Sequence, residues 1–214
     1  SGRLTIRDGG ALEIVGRTET YQSFTPAGAV DVVNHYPGQL VIGPDGTLDG
    51  SGSVLFSGAA GGAARVMGTI SPGNSPGWLT IGGDLRLEGP QFGDSNARLL
   101  IELGGNEPGS GYDVLEVLGN LALSGATLEI SLVNGFMPGA GASFQFLRVH
   151  GGITGSFASL VDHTGLGLTL AGLAFDGGGV SLSVAAVPEP ETYALFVAGL
   201  LLVGGYARRR RTPD

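Results

Sequence analysis

Gly73-Asn-Ser75-Pro-Gly77 has the spacing of G-x-S-x-G, the pattern in which a serine on a strained strand-to-helix turn attacks an acyl carbon. Pro72 and Pro76 flank it and a strand pattern follows, so the sequence predicts a tight turn there and not a nucleophile. His35, His150 and His163 are the only imidazoles available as bases. Gly109-Ser-Gly111-Tyr-Asp113-Val-Leu115 approaches the calcium-binding G-G-x-G-x-D-x-U repeat, with Pro108 in place of the first glycine. Such a site is built between adjacent turns, so one copy supplies half of each cage. Asp113 is the metal-ligand candidate this motif offers. With no tandem copy, the expectation is no metal and a turn before a strand.

Paired carboxylates about 5–10 Å apart would serve a glycosidase or a lyase. Glu102, Glu116 and Glu129 are candidates by alternation along their segments. The competing expectation is a solvated face that blunts lateral aggregation of a sheet. Trp78, Tyr21, Tyr36 and Tyr112 could stack on sugar rings or pack over strand edges. Asp45, Asp49, Asp84, Asp94 and Asp176 sit in Gly/Ser turns and are expected to accept backbone N–H groups as Asx-turns. Nothing in these patterns calls for a cofactor.

The elements that must position these residues are short. Leu4-Thr-Ile6, Leu12-Glu-Ile14, Leu79-Thr-Ile81, Leu85-Arg-Leu87, Leu128-Glu-Ile130-Ser-Leu132 and Val180-Ser-Leu182-Ser-Val184 alternate with period two. Gly, Asn and Asp bound them, which is the strand-and-turn signature. Gly-x-Leu-x-Ile recurs at Gly2, Gly38 and Gly77, spaced 36 and 39 residues apart. That spacing suits two coils of a β-solenoid whose inward Leu and Ile stack on one another. Each buried aliphatic contributes about 1.5–3 kcal/mol, against the entropy lost by ordering 41 glycines.

The C-terminal segment has a different chemistry. Val187-Pro188-Glu189-Pro190 precedes an apolar run, Thr192 to Ala207, and four consecutive arginines, Arg208, Arg209, Arg210 and Arg211. Two prolines around one glutamate hold the backbone extended, a shape suited to an enzyme that binds its substrate as a strand. The apolar run is shorter than the ~20 residues of a comfortable span. Tyrosines at its ends allow it to cross as a single transmembrane-type helix. Arg208, Arg209, Arg210 and Arg211 would then set its topology by staying cytoplasmic. A tail anchor that is never processed is the plainer alternative.

This segment resembles the PEP-CTERM sorting signal of exported bacterial proteins. Pro188, Glu189 and Pro190 match its motif, Thr192 to Ala207 its helix, and Arg208, Arg209, Arg210 and Arg211 its cluster. The resemblance implies an exosortase as partner, a membrane-embedded processing enzyme acting at the Pro-Glu-Pro site. It implies a Gram-negative source that secretes exopolysaccharide, a further partner expected on the same ground. The protein would pass through an inner-membrane intermediate to the cell envelope, the outer surface or the extracellular matrix. Members carry an N-terminal signal peptide. This chain begins Ser1-Gly2-Arg3 without an apolar h-region and reads as a trimmed piece. Residues 71–81 and 112–119 resemble the passenger repeats of autotransporters and of other PEP-CTERM proteins, which are right-handed parallel β-helices.

The expected fold class is therefore all-β: a glycine-rich right-handed parallel β-helix, with a β-sandwich-like cap as the open alternative for residues 99–183, plus the C-terminal helix. The expected layout is an extracytoplasmic body over 1–183, a linker over 184–187 and the sorting signal over 188–211. Seven arginines stand against eighteen Asp and Glu up to Ala207, and lysine is absent. An acidic body disfavours nucleic acid as a partner. The absence of cysteine excludes disulfides and thiolate metal sites. The expected function is structural or adhesive and not enzymatic. A polysaccharide-active lyase or hydrolase is the alternative, and a passenger stub whose activity lies upstream is a third. Scattered Arg3, Arg7, Arg17, Arg65, Arg86, Arg98 and Arg148 weigh against a basic catalytic cleft.

Overall fold

A computed structural model describes residues 3–15, 17–25, 28–58, 61–73, 76–93, 95–184, 196 and 198–201, with side-chain surroundings given for these except 7–10, 17–36 and 92. The strands are β1 (Arg3–Val15), β2 (Arg17–Thr25), β3 (Gly28–Tyr36), β4 (Gly38–Ile42), β5 (Thr47–Ser57), β6 (Gly62–Val66), β7 (Thr69–Pro72), β8 (Trp78–Ile81) and β9 (Asp84–Glu88). They continue as β10 (Arg98–Leu103), β11 (Val114–Val117), β12 (Leu121–Ser124), β13 (Thr127–Leu132), β14 (Ser143–Val149), β15 (Ile153–Ser156), β16 (Ser159–Asp162), β17 (Leu173–Asp176) and β18 (Gly179–Ser183).

Three sheets result. An 11-stranded sheet runs β16-β13-β10-β7-β5-β8-β11-β14-β18-β17, with β1 paired to β5. A 5-stranded sheet runs β15-β12-β9-β6-β4, and β2 and β3 form an antiparallel pair. The 5-stranded sheet is parallel throughout. The large sheet is parallel except where β18 joins β14 and β17 joins β18. Strand β5 divides its partners: Thr47–Asp49 pair with β7 and Gly52–Val54 with β8.

Alternation explains the core. In β10, Leu99, Ile101 and Leu103 are buried while Arg98, Leu100 and Glu102 turn outward. The parallel register then places aliphatic on aliphatic: Leu79 beside Leu115, Leu115 beside Leu147, Leu99 beside Leu128, Leu85 beside Leu121. Phe144 and Phe146 are the bulkiest of the fully buried side chains. Phe144 meets Tyr112 and Phe136 edge-on, at centroid distances of 5.3 and 6.2 Å, the geometry that the ring quadrupoles favour.

The expected right-handed parallel β-helix is corrected by these sheets. The large sheet is mixed, and two antiparallel ladders are integral to it. The Gly-x-Leu-x-Ile segments also do not stack on one another. Leu40 and Ile42 lie in the 5-stranded sheet against β6, whereas Leu79 and Ile81 lie in the large sheet between β5 and β11. Local alternation could not distinguish these two placements, because both bury the same face. The strands from Leu99 onward do not form a separate sandwich-like cap either, since they extend the two larger sheets.

The expected transmembrane-type helix is corrected as well. Among the described residues no helix is long and apolar enough to cross a membrane. Of Thr192 to Ala207, the described residues Phe196 and 198–201 are helical. The remainder of that run lies outside the described residues, as do Ala185 and Ala186 of the expected linker. The expected topology determinants Arg208, Arg209, Arg210 and Arg211 also lie outside them.

One glycine is a steric requirement of the fold. Gly50 has φ +106°, and a Cβ there would lie 1.8 Å from the Ile6 carbonyl oxygen, where the β1–β5 register shifts. Gly50→Ala is expected to cost about 2–4 kcal/mol from strained φ and displaced backbone. A lower midpoint in urea unfolding, followed by circular dichroism, checks it.

Candidate functional site

Two of the sequence motifs meet at one buried carboxylate. Asp113 lies at the entry to β11 and is fully buried. Its Oδ1 accepts the Gly77 N–H at 2.8 Å and its Oδ2 accepts the Glu102 N–H at 2.9 Å. Gly73 and Gly77 both approach it. A Cβ at Gly73, which has φ +103°, would lie 2.3 Å from the Gly77 nitrogen and 2.6 Å from Asp113 Oδ1. The glycines of the G-x-S-x-G pattern therefore allow a close backbone approach. Strand β7 precedes the turn and strand β8 follows it, so the strand-to-helix elbow is absent; Ser75 itself lies outside the described residues. Burial pushes the Asp113 carboxyl up to about 7, although the Glu102 and Gly77 N–H groups pull the other way. Both Asp113 oxygens are thus engaged by backbone. Among the described residues no group of three or more His, Asp or Glu side chains is placed to share a metal ion.

The outward face of β8, β11 and β14 carries a second constellation. The parallel register puts Thr80 beside Glu116 and Glu116 beside Arg148. Glu116 Oε2 accepts from Trp78 Nε1 and from Thr80 Oγ1, both at 3.1 Å. His150 Nε2 lies 2.9 Å from Glu116 Oε1. Burial pushes the Glu116 carboxyl up, but the contacts with His150, Trp78 and Thr80 outweigh it and hold the group below the usual glutamate range. The Arg148 guanidinium lies over the Trp78 ring, 4.8 Å from its centroid, within cation–π range. On the same ring a Cβ at Gly109 would come within 3.0 Å of Cε3. Trp78 is therefore partly covered by Arg148 and by the Gly109 backbone.

Glu116→Ala removes three contacts from a half-buried carboxylate. It is expected to cost about 1–2 kcal/mol at neutral pH. Because the folded-state carboxyl is held low, this contribution is present above the unfolded Glu range and fades as pH falls through it. Thermal melts at neutral and acidic pH check the sign. Trp78 is the one tryptophan, so its fluorescence reports the local loss directly.

The other carboxylates are engaged separately. Glu129, nearly buried on β13, takes Arg98 on one side and His163 on the other, the latter at 3.4 Å. Glu102 lies on β10, whose Leu100 is the register partner of Glu129. Glu116 belongs to the other arm of the large sheet. The fold therefore does not gather the three into one cluster.

Of the turn aspartates, Asp176 accepts the Gly178 N–H at 2.9 Å, as an Asx-turn requires. Asp84 accepts from Asn120 N and Nδ2 instead, linking β9 to the start of β12. Asp49 pairs with Arg3. Asp162 was missed: its oxygens take Thr164 N at 2.7 Å and Leu168 N at 2.9 Å and fix the turn after β16. An Asp followed two residues later by Thr was the available signal. Asp94, Val187, Pro188, Glu189, Pro190, Arg208, Arg209, Arg210 and Arg211 lie outside the described residues, as do the side chains of Tyr21, Tyr36 and His35.

Comparison with known families decides what the C-terminal segment is. A family model described as the PEP-CTERM protein-sorting motif matches residues 186–211. The chain carries this sorting motif. The matched span contains Val187, Pro188, Glu189 and Pro190 at one end and Arg208, Arg209, Arg210 and Arg211 at the other. The motif targets the chain for export and for membrane-associated processing by an exosortase. Comparison with curated proteins yields no match, so the passenger-like resemblance of residues 71–81 and 112–119 gains no support.

Proposed function

We propose that this is an exported, non-enzymatic β-protein, delivered by its sorting motif to the cell envelope or to secreted polysaccharide, where it has a structural or adhesive role. The match at residues 186–211 carries this reading. The state of the outward carboxylates supports it: Glu116 and Glu129 are spent on neighbouring side chains of their own sheet, as in a face built for rigidity. The body occupies residues 1–183, a linker 184–187 and the sorting signal 188–211. Val187 to Pro190 are the segment that the exosortase reads. Arg208, Arg209, Arg210 and Arg211 orient the tail at the membrane.

The test is retention. In a host with its exosortase, the processed protein is expected to fractionate with cells and matrix when exopolysaccharide is made. It is expected to enter the medium when polysaccharide synthesis is disabled. Identical fractionation in both hosts would remove polysaccharide from the account.

A further inference from the structure

We propose that the open depression lined by Glu116, Gln145, Arg148, His150 and Gly178 binds the carboxylate of an acidic saccharide, with Arg148 as its cationic anchor. This rests on the polysaccharide-associated reading above and assigns it a place and a ligand class.

Arg148 stands apart from the other arginines whose side chains are described. Arg3 pairs with Asp49, Arg65 and Arg86 share Glu88, and Arg98 pairs with Glu129. Among the described residues, the Arg148 side chain has no carboxylate partner and makes no hydrogen bond; its buried Nε is without an acceptor. Its contact is the stack on Trp78, which fixes the guanidinium plane while leaving its terminal N–H donors unspent. The depression that it lines also receives Gln145, His150 and Gly178. A planar, pre-oriented guanidinium matches a carboxylate through two parallel N–H···O bonds.

One guanidinium suits one monovalent charge better than a phosphate. Glu116 is in register with Arg148 but is already held by Trp78, Thr80 and His150. The Gln145 amide and the His150 ring offer donors and acceptors beside the cation, the mixture that flanking hydroxyls need. A uronate unit carries both groups. The chain's overall acidity does not forbid this, since charges beyond about 8 Å are screened at physiological salt.

The test is calorimetric titration of the exosortase-processed protein with a short oligoglucuronate, a neutral cello-oligosaccharide of equal length, and acetate. The oligoglucuronate is expected to bind saturably, with the other two at least about tenfold weaker, since a charge-assisted pair contributes at least that factor. Arg148→Met is expected to lose at least about tenfold for the same reason. Gly178→Phe blocks the depression without touching Arg148: a Cβ at Gly178 meets only Asp176 Oδ1, at 3.6 Å. It is expected to lose binding with an unchanged melt, and it decides the matter should loss of the Trp78 stack unfold Arg148→Met.

Equal binding of acidic and neutral glycans, or full binding by both variants, overturns the assignment. Acetate binding as tightly as the oligoglucuronate overturns the saccharide part. A protein retained by exopolysaccharide that binds no oligoglucuronate sinks this site and leaves the wider reading standing. A protein that is never retained sinks the wider reading itself.

Discussion

Alanine at Pro188, Glu189 and Pro190 together is expected to abolish processing in a host that has its exosortase, leaving the full-length mass as the sole species. The two prolines restrict φ at their own positions and push the preceding residues out of the helical region. An extended peptide of this kind suits an enzyme that binds its substrate as an added strand. Glutamate adds the only charge between them. Glu189→Gln keeps shape and hydrogen-bonding reach while removing that charge, so it separates the two contributions. Partial processing of Glu189→Gln, with none in the triple variant, is the expected order. Normal processing of the triple variant would move recognition elsewhere within residues 186–211.

The second large effect centres on Asp113. Asp113→Ala would leave the Gly77 and Glu102 N–H groups without their acceptor in a fully buried setting. A cost of about 3 kcal/mol follows from two unsatisfied donors, which is roughly 6–12 °C in Tm for a body of this size. The pH dependence has a definite sign. The folded-state carboxyl is pushed up to about 7 from an ordinary 3.8. Between those values the folded protein holds a proton that the unfolded chain releases. The contribution of this group to stability is thus greatest below the ordinary Asp range. It falls as pH rises towards about 7, by up to about 1.4 kcal/mol per pH unit, and levels off above. Asp113→Asn cannot ionise. Its amide nitrogen cannot accept the N–H that the replaced oxygen held, so it is expected to melt below the wild type at pH about 5 and to lack the wild type's decline towards neutrality. Matched melts of the two proteins across that window check it. A wild type whose Tm rises from pH about 5 to about 8 relative to Asp113→Asn would reverse the sign.

Alternation made individual strands legible. Leu128-Glu-Ile130-Ser-Leu132 falls within β13 and Val180-Ser-Leu182 within β18, because the side-chain period of two is a local property of extended backbone. Sheet membership was not local. The Leu-x-Ile of β4 and that of β8 read alike yet enter different sheets. The antiparallel return of β18 onto β14 carries a register shift between Gln145 and Leu147, which periodicity does not encode. The sorting signal was legible because its chemistry is sequential, in one stretch of chain. The Asp113 junction was not, since it joins Gly73, Gly77, Glu102 and Asp113 through space, and its two glycine patterns resembled catalytic and calcium motifs. Arg148 read as one of several scattered arginines. Its distinction is that, among the described residues, its guanidinium pairs with no carboxylate although Glu116 is its register neighbour, which only the fold reveals.

Residues 186–211 mark this chain for an exosortase. Intact-mass spectrometry of the protein from otherwise identical hosts, with and without that enzyme, tests it most directly. A shortened chain lacking Arg208, Arg209, Arg210 and Arg211 is predicted in the first host, and the unshortened chain in the second. The same full-length mass in both, or the same shortened mass in both, would contradict it.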